Sequence, residues 1–312
     1  DFGTNPCSEI ILRSNQFCNL SEVVIREGDT LASLKKKVET AAIIGTLQAT
    51  LTDFRYLRNL WKRNTEEEAL LGLSMTGIMD HPTLGNSSDK TKQWLEELKE
   101  VAITTNKIWA EKLGIAQSVA ITCVKPSGTV SQLVDSASGI HPRFSKQYIR
   151  RVRSDKKDPL AVFMEDKGFP VEQDVMSPAS AVFSFPVKAP EKSVTVAEVG
   201  AMQQLELWKT YQNHWCEHKP SITVYYTDNE FLQVAQWIWD NFEICSGISL
   251  LPVSDHVYQQ APYEDISIEK YNELLAAMPQ GVSWEDLENF EQEDNTTGSQ
   301  ELACTGGACE IV

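Results

Sequence analysis

The sequence predicts an α/β fold whose strands run largely parallel. Short β-branched runs at 117–124 (QSVAITCV), 221–227 (SITVYYT) and 248–252 alternate with longer helical patterns, the order expected of strands joined by crossover helices. The 312 residues suffice for two domains or one large α/β domain with a substantial core. A composition 42% hydrophobic and 23% charged fits a globular protein. No apolar run approaches the ~18 residues of a membrane span.

The elements follow in order. Leu31, Leu34, Val38, Ala41, Ile44, Leu47, Leu51 and Phe54 recur at spacings of three and four, predicting a helix over 31–57. Ser87, Ser88 and Asp89 are capping residues for a helix over 90–113, which Gly114 ends. The strand at 117–124 leads into Lys125-Pro126-Ser127-Gly128-Thr129 and a short helix. Residues 154–193 read as irregular, because Pro159, Pro170, Pro178, Pro186 and Pro190 oppose a long helix. A helix over 196–218, the strand at 221–227, a helix over 228–242 and the strand at 248–252 complete the body. From residue 285 the chain becomes acidic and poor in apolar residues, then rich in Asn, Thr, Gly and Ser. Such a segment buries too little apolar surface to offset its ordering entropy. The expected division is a body over 1–284 and a flexible tail over 285–312.

Charge narrows the partners. With 28 basic and 44 acidic side chains the net charge is −16, which opposes a nucleic-acid polymer, since that affinity rests on Lys and Arg neutralising phosphates. A single nucleotide needs only one local site. The seven cysteines are odd in number and scattered, which fits a reducing, cytoplasmic setting better than a disulfide scaffold. The chain opens on Asp1-Phe2-Gly3-Thr4, without Met and without a basic or apolar leader, and reads as starting mid-protein.

The first chemical constellation is Asn5-Pro6-Cys7-Ser8-Glu9. Pro6 disfavours helix and pushes Asn5 toward extended geometry, and in extended chain residues i, i+2 and i+4 share a face. Asn5, Cys7 and Glu9 are then an amide, a thiol and a carboxylate in a row, able to combine hydrogen bonding, nucleophilic or radical chemistry and proton transfer. By spacing alone, an ordinary loop with an inert cysteine fits as well. Gly3-Thr4-Asn5-Pro6-Cys7-Ser8-Glu9-Ile10 resembles the catalytic loop of the large subunit of ribonucleotide reductases. Further motifs of that family follow in its order over essentially the whole chain.

The resemblance implies the C-terminal part of a ten-stranded α/β barrel with a catalytic finger loop. It implies reduction of ribonucleotides to deoxyribonucleotides for DNA synthesis. Cys7 would be the thiyl radical site, Glu9 the base at the ribose 3′-hydroxyl, and Asn5 the residue orienting the substrate hydroxyls. Cys18, in Asn15-Gln16-Phe17-Cys18-Asn19-Leu20, lies eleven residues after Cys7, a spacing similar to the vitamin B12-dependent, class II enzymes. There the matching thiol is one of a pair that reduces the 2′-carbon, and its partner belongs to an N-terminal half absent from this sequence. The resemblance therefore implies adenosylcobalamin as cofactor, and a fragment inactive by itself.

Ser127-Gly128-Thr129 lies between a predicted strand and a helix start, where backbone N–H groups form an anion site; alone it is also an ordinary capped turn. In context Pro126, Ser127, Gly128, Thr129 and Val130 resemble the family's substrate-phosphate loop. Gly139-Ile140-His141-Pro142-Arg143, Tyr148 to Arg153, and Leu251-Pro252-Val253 through Tyr263-Glu264 are similar to class II chains. Cys304-Thr305-Gly306-Gly307-Ala308-Cys309 is neither a CxxC helix motif nor half of a zinc site. It resembles the C-terminal shuttle that re-reduces the active-site disulfide and is recharged by thioredoxin or a similar dithiol. No resident metal site is expected, since His214 and His218 lack an HExxH pattern. Two alternatives remain: a class I diphosphate reductase fragment, in which Tyr225-Tyr226 would carry the radical, and a non-catalytic dithiol-relay module. The triplet at 5, 7 and 9 separates the enzyme readings from the module.

Overall fold

The computed structural model describes residues 2–253 and 259–291. In chain order these form β1 (Phe2–Thr4), β2 (Ile11–Arg13), β3 (Asn19–Val24), α1 (Leu31–Gln48), α2 (Asn59–Glu68), β4 (Leu71–Thr76), α3 (Asp89–Leu113) and α4 (Gly128–Leu133). There follow β5 (Gln147–Asp155), α5 (Pro159–Asp166), β6 (Val171–Gln173), β7 (Ser180–Lys188), α6 (Ala201–His214), β8 (Ile222–Tyr226), α7 (Phe231–Asp240), β9 (Ile248–Pro252), β10 (Tyr263–Asp265) and α8 (Ile268–Ala277). They divide into two compact units, one of residues 2–143 and 196–253, the other of 144–195 and 259–291.

The first unit is the α/β part. β3 runs parallel to β4 from Asn19↔Leu71 to Val24↔Thr76, and β8 runs parallel to β9. Residues 120–124 join the pairs through single parallel bridges, Leu73↔Thr122 and Val124↔Pro220. The order is therefore β3, β4, 120–124, β8, β9, all parallel. Among the described residues no sheet closes on itself, so the expected barrel is represented by an open parallel array. The stretch expected as a strand at 117–124 is extended chain held by these bridges instead of a continuous ladder.

Local chemistry explains the helices. Thr30 and Ser33 cap α1 reciprocally, each hydroxyl accepting from the other's backbone N–H at 3.2 and 3.0 Å. The helix stops at Gln48, short of the expected residue 57. The Thr50 hydroxyl donates to the Leu47 carbonyl at 2.7 Å, a local bond that competes with helix continuation, and Leu51 is left 72% exposed. Over 89–113 expectation and structure agree: the Ser88 hydroxyl accepts from the Thr91 N–H at 3.2 Å, and Gly114 closes α3 at φ 67°. In the core, Trp208, Tyr211 and Trp215 are fully buried. Their polar tips donate to the carbonyls of Pro220, Leu84 and Cys123 at 2.8, 3.1 and 2.8 Å, so the rings bury area without stranding a donor.

A buried cation holds this unit near its chain exit. The Arg143 side chain, 4% exposed, donates to both Asp80 oxygens at 3.1 and 2.9 Å and to Asp135 at 2.8 Å. Arg143→Ala strands Asp80 and should lower the unfolding free energy by about 3–5 kcal/mol. Denaturant titration checks it; a loss within measurement error would mean that the pair contributes nothing.

The second unit corrects the expectation of irregular chain over 154–193. It is an antiparallel sheet in the order β10, β5, β7, β6, with β5 and β7 paired over nine residues. The prolines fit regular structure: Pro159 takes the first turn of α5 behind the Asp158 cap. Pro186 lies in β7 beyond the three residues that β6 pairs, where a missing N–H disrupts no second ladder. Ala161, Phe163, Met164, Ala181 and Phe183 form the unit's own core. Of the expected tail, residues 285–291 are described here. Trp284–Asn289 is a 3₁₀ helix, the Phe290 ring lies 5.4 Å from Phe163, and Lys167 pairs with Asp286 at 2.9 Å. Of the expected tail, residues 292–312, Cys304 and Cys309 among them, lie outside the described residues.

Candidate active site

β1 and β2 form an antiparallel hairpin, Phe2↔Arg13 to Thr4↔Ile11, whose tip is the Asn5–Ile10 motif. The tip is not extended. The Ser8 N–H donates to the Asn5 carbonyl at 2.9 Å, closing a four-residue turn with Pro6 second, and Ser8 sits at φ 61°. Asparagine first and proline second are the residues such a turn prefers. Strand alternation therefore does not align Asn5, Cys7 and Glu9; the turn gathers them. The Asn5 side-chain N–H donates to Glu9 Oε1 at 2.5 Å, and its Oδ1 accepts the Ile10 N–H at 3.1 Å. Cys7, at the third position of the turn, is half-buried.

Glu9 is fully buried. Its backbone carbonyl accepts the Lys219 N–H at 3.0 Å, fastening the tip to the chain just before β8. Besides Asn5, Oε1 accepts from Lys125 Nζ at 2.9 Å. Oε2 is buried and makes no hydrogen bond, an uncommon and costly state for a carboxylate oxygen.

Cys18 enters the same cluster. It lies against Gly72 in β4, where an added Cβ would meet the Cys18 sulfur in ordinary contact at 3.4 Å but crowd Ile10 Cδ1 at 3.2 Å and Leu20 Cδ2 at 2.4 Å. Burial, and secondly the Glu9 charge, push the Cys18 pKa up to about 12 against a lowering by Lys125. At neutral pH it is a thiol. Cys123 and Cys216 are buried and their pKa values are raised well above the ordinary value by desolvation; Cys245 is half-buried.

Lys125 is the residue that motif reading left without a role. It touches the finger motif across 116 residues of sequence. Burial alone would lower its pKa, yet the hydrogen bond and charge of Glu9, then the charges of Cys7 and Cys123, raise it. Its backbone N–H is tied to the Ser74 hydroxyl in β4 at 2.8 Å.

The loop at Pro126–Val130 follows directly. α4 begins at Gly128, and Thr129 and Val130 are exposed in its first turn, where N–H groups have no intrahelical partner. The Ser127 and Ser131 hydroxyls are engaged within the protein. Ser127 donates to Glu22 Oε1 at 2.8 Å and Ser131 donates back to the Ser127 carbonyl. Glu22, in β3, has a raised pKa: burial outweighs the lowering by Ser127 and Lys125.

The other side chains singled out by the sequence make local contacts. His218, with its pKa lowered by burial, donates from Nε2 to the Leu71 carbonyl at 2.7 Å, while His214 faces Glu96 at 2.7 Å. The described residues contain no cluster of three metal-ligating side chains. The Tyr226 ring packs 6.1 Å from Phe231. The described helices include none long and apolar enough to cross a membrane.

No family model matches the chain. Individual proteins do. The adenosylcobalamin-dependent ribonucleoside-triphosphate reductases of Lactobacillus helveticus and Lacticaseibacillus paracasei are 28% and 27% identical, over 99% of this chain and 45% of their own length. That of Euglena gracilis is 30% identical over 90% of this chain and 38% of its own length. The chain thus spans less than half of these curated relatives. A crystal structure of a B12-dependent (class II) ribonucleotide reductase shares the fold with a TM-score of 0.76 at 24% identity, covering 94% of this chain and 44% of the other. The class Id ribonucleotide reductase alpha subunit of Actinobacillus ureae reaches 0.50 at 16% identity, over 80% and 53%.

Proposed function

We propose that this chain, related along almost its whole length to the adenosylcobalamin-dependent ribonucleotide reductases, carries the radical loop of such an enzyme. The supporting observation is the hairpin tip. A thiol stands in a turn beside a buried carboxylate that is held by an amide and an ammonium and keeps one oxygen unbonded. On this reading Cys7, as a thiyl radical, takes the ribose 3′-hydrogen while Glu9 Oε2 accepts the 3′-hydroxyl proton. Asn5 orients the hydroxyls. The 2′-hydroxyl leaves as water, and Cys18 with an upstream thiol supplies two electrons and closes to a disulfide. Cys7 then returns its hydrogen to the 3′-carbon. The raised pKa of Cys18 suits it to deliver a hydrogen rather than act as a thiolate. A dithiol-relay module would have no use for the Glu9–Lys125 pair.

Adenosylcobalamin, when bound, supplies the radical that removes the Cys7 hydrogen. A half-buried thiol at a hairpin tip fits a donor to a group arriving from outside the fold. The parallel array would be completed to the ten-stranded barrel by an N-terminal half, supplied upstream or by a second chain. Ribonucleoside triphosphates are the substrates, with their phosphates on the loop Pro126–Val130 once Ser127 leaves Glu22. Cys304 and Cys309 relay electrons from thioredoxin or a similar dithiol.

The test joins this chain to the N-terminal half of a class II reductase. Turnover should require adenosylcobalamin and ignore a metal-containing class I small subunit. Turnover with the small subunit and oxygen alone would reject the class assignment in favour of class I, and turnover in neither condition would reject the reductase reading.

A further inference from the structure

The contact between Lys125 and Glu9 is the most specific interaction at the hairpin tip that the radical scheme does not use. Resting on the reductase reading, we infer that Lys125 is a positioning residue: it holds Glu9 Oε1 and so leaves Oε2 as the oxygen that takes the substrate's proton. Two donors converge on Oε1, Asn5 at 2.5 Å and Lys125 Nζ at 2.9 Å, and none reaches Oε2. A carboxylate with one oxygen saturated and one bare is directional. A half-turn about Cγ–Cδ only exchanges the labels of two equivalent oxygens, so what the donors fix is the plane of the carboxylate and the side on which an oxygen stays bare. The geometry is steady because both donors are fixed elsewhere. Asn5 is tied into the turn, and the Lys125 backbone is tied to Ser74 in β4.

Charge points the same way. Lys125 lies in the field of Glu9 and Cys7 from the hairpin, Cys18 and Glu22 from the chain entering and forming β3, and Cys123 from its own segment. His218, the other basic group coupled to Glu9, has its pKa lowered by burial. Lys125 is therefore the cation that stabilises the ionised Glu9 carboxylate. Removing it takes away one of the two donors that hold Oε1, so the carboxylate loses its fixed orientation.

The test compares Lys125→Met and Lys125→Arg, each in the wild-type and Glu9→Gln backgrounds, in the completed reductase with a ribonucleoside triphosphate. Lys125→Met should lower kcat by about 10²-fold, the scale of an ångström's misplacement of a reacting group. KM should stay nearly constant. Lys125→Arg should recover most of the rate, and Lys125→Met should add nothing to Glu9→Gln. In parallel, amide exchange of residues 5–10 in the 312-residue chain should quicken in Lys125→Met and return to wild type in Lys125→Arg. A rise in KM in place of the fall in kcat, an undiminished effect of Lys125→Met on top of Glu9→Gln, or unchanged exchange at the tip would overturn the assignment. Absence of reduction by the wild-type protein would count against the reductase reading alone, and the exchange arm would then decide on Lys125.

Discussion

Cys7→Ser in the completed enzyme is expected to bring ribonucleotide reduction to background. Serine keeps the size and the turn, since position 7 is the third residue of a turn closed by backbone atoms of Asn5 and Ser8. The hydrogen bonds to Glu9 from Asn5 and Lys125 are donated by those two side chains, so the variant should fold, bind nucleotide and keep both of them. What it loses is the weak S–H bond. An alkoxyl radical lies too high in energy to be formed where a thiyl radical can be. The measurement is deoxynucleotide formation under single-turnover conditions, with nucleotide binding as the control. Product above background with binding intact would remove Cys7 from the radical step.

Glu9→Gln carries the second largest expectation. The amide is isosteric but cannot take a proton, so the 3′-hydroxyl step should slow by about 10²–10⁴-fold, as for loss of a general base. The substitution also places an amide against Lys125 Nζ and Asn5 Nδ2, which both donate to Oε1. The glutamine must therefore present its oxygen to them and its NH₂ to the unbonded side, converting an acceptor into a donor where the substrate hydroxyl would sit. Loss of rate should come with retained exchange of the Cys7 hydrogen, measured by isotope washout into solvent in the presence of cofactor. A wild-type rate would exclude Glu9 from proton transfer.

Much of the first unit was legible in the sequence. Ser88 and Gly114 bracket α3 because a side-chain cap and a left-handed closing residue act locally. The antiparallel unit was not legible. Proline reads as a breaker in isolation, and whether it opens a helix, as Pro159 does, or sits at an unpaired stretch of strand, as Pro186 does, depends on partners distant in sequence. At the hairpin tip, the motif singled out Asn5, Cys7 and Glu9 as an extended row, whereas the chain there forms a turn. A proline second in a turn and a proline in extended chain share the same φ, and only the bond from Ser8 to Asn5 separates them. Lys125 was legible only as the first residue of the loop motif, because its partner is a carboxylate 116 residues away.

Asn5 performs two tasks with one side chain. Its oxygen accepts the Ile10 N–H that shapes the tip, and its nitrogen donates to Glu9. Aspartate would keep the acceptor but set a second negative charge against Glu9. Alanine would release both ends together, and glutamine has both groups one methylene too far from the backbone. A kinetic defect at position 5 thus mixes loop architecture with the chemistry of the base, and no single replacement separates them. Dissecting the amide's contribution calls for perturbing its two partners independently, through Glu9 on one side and the backbone of Ile10 on the other.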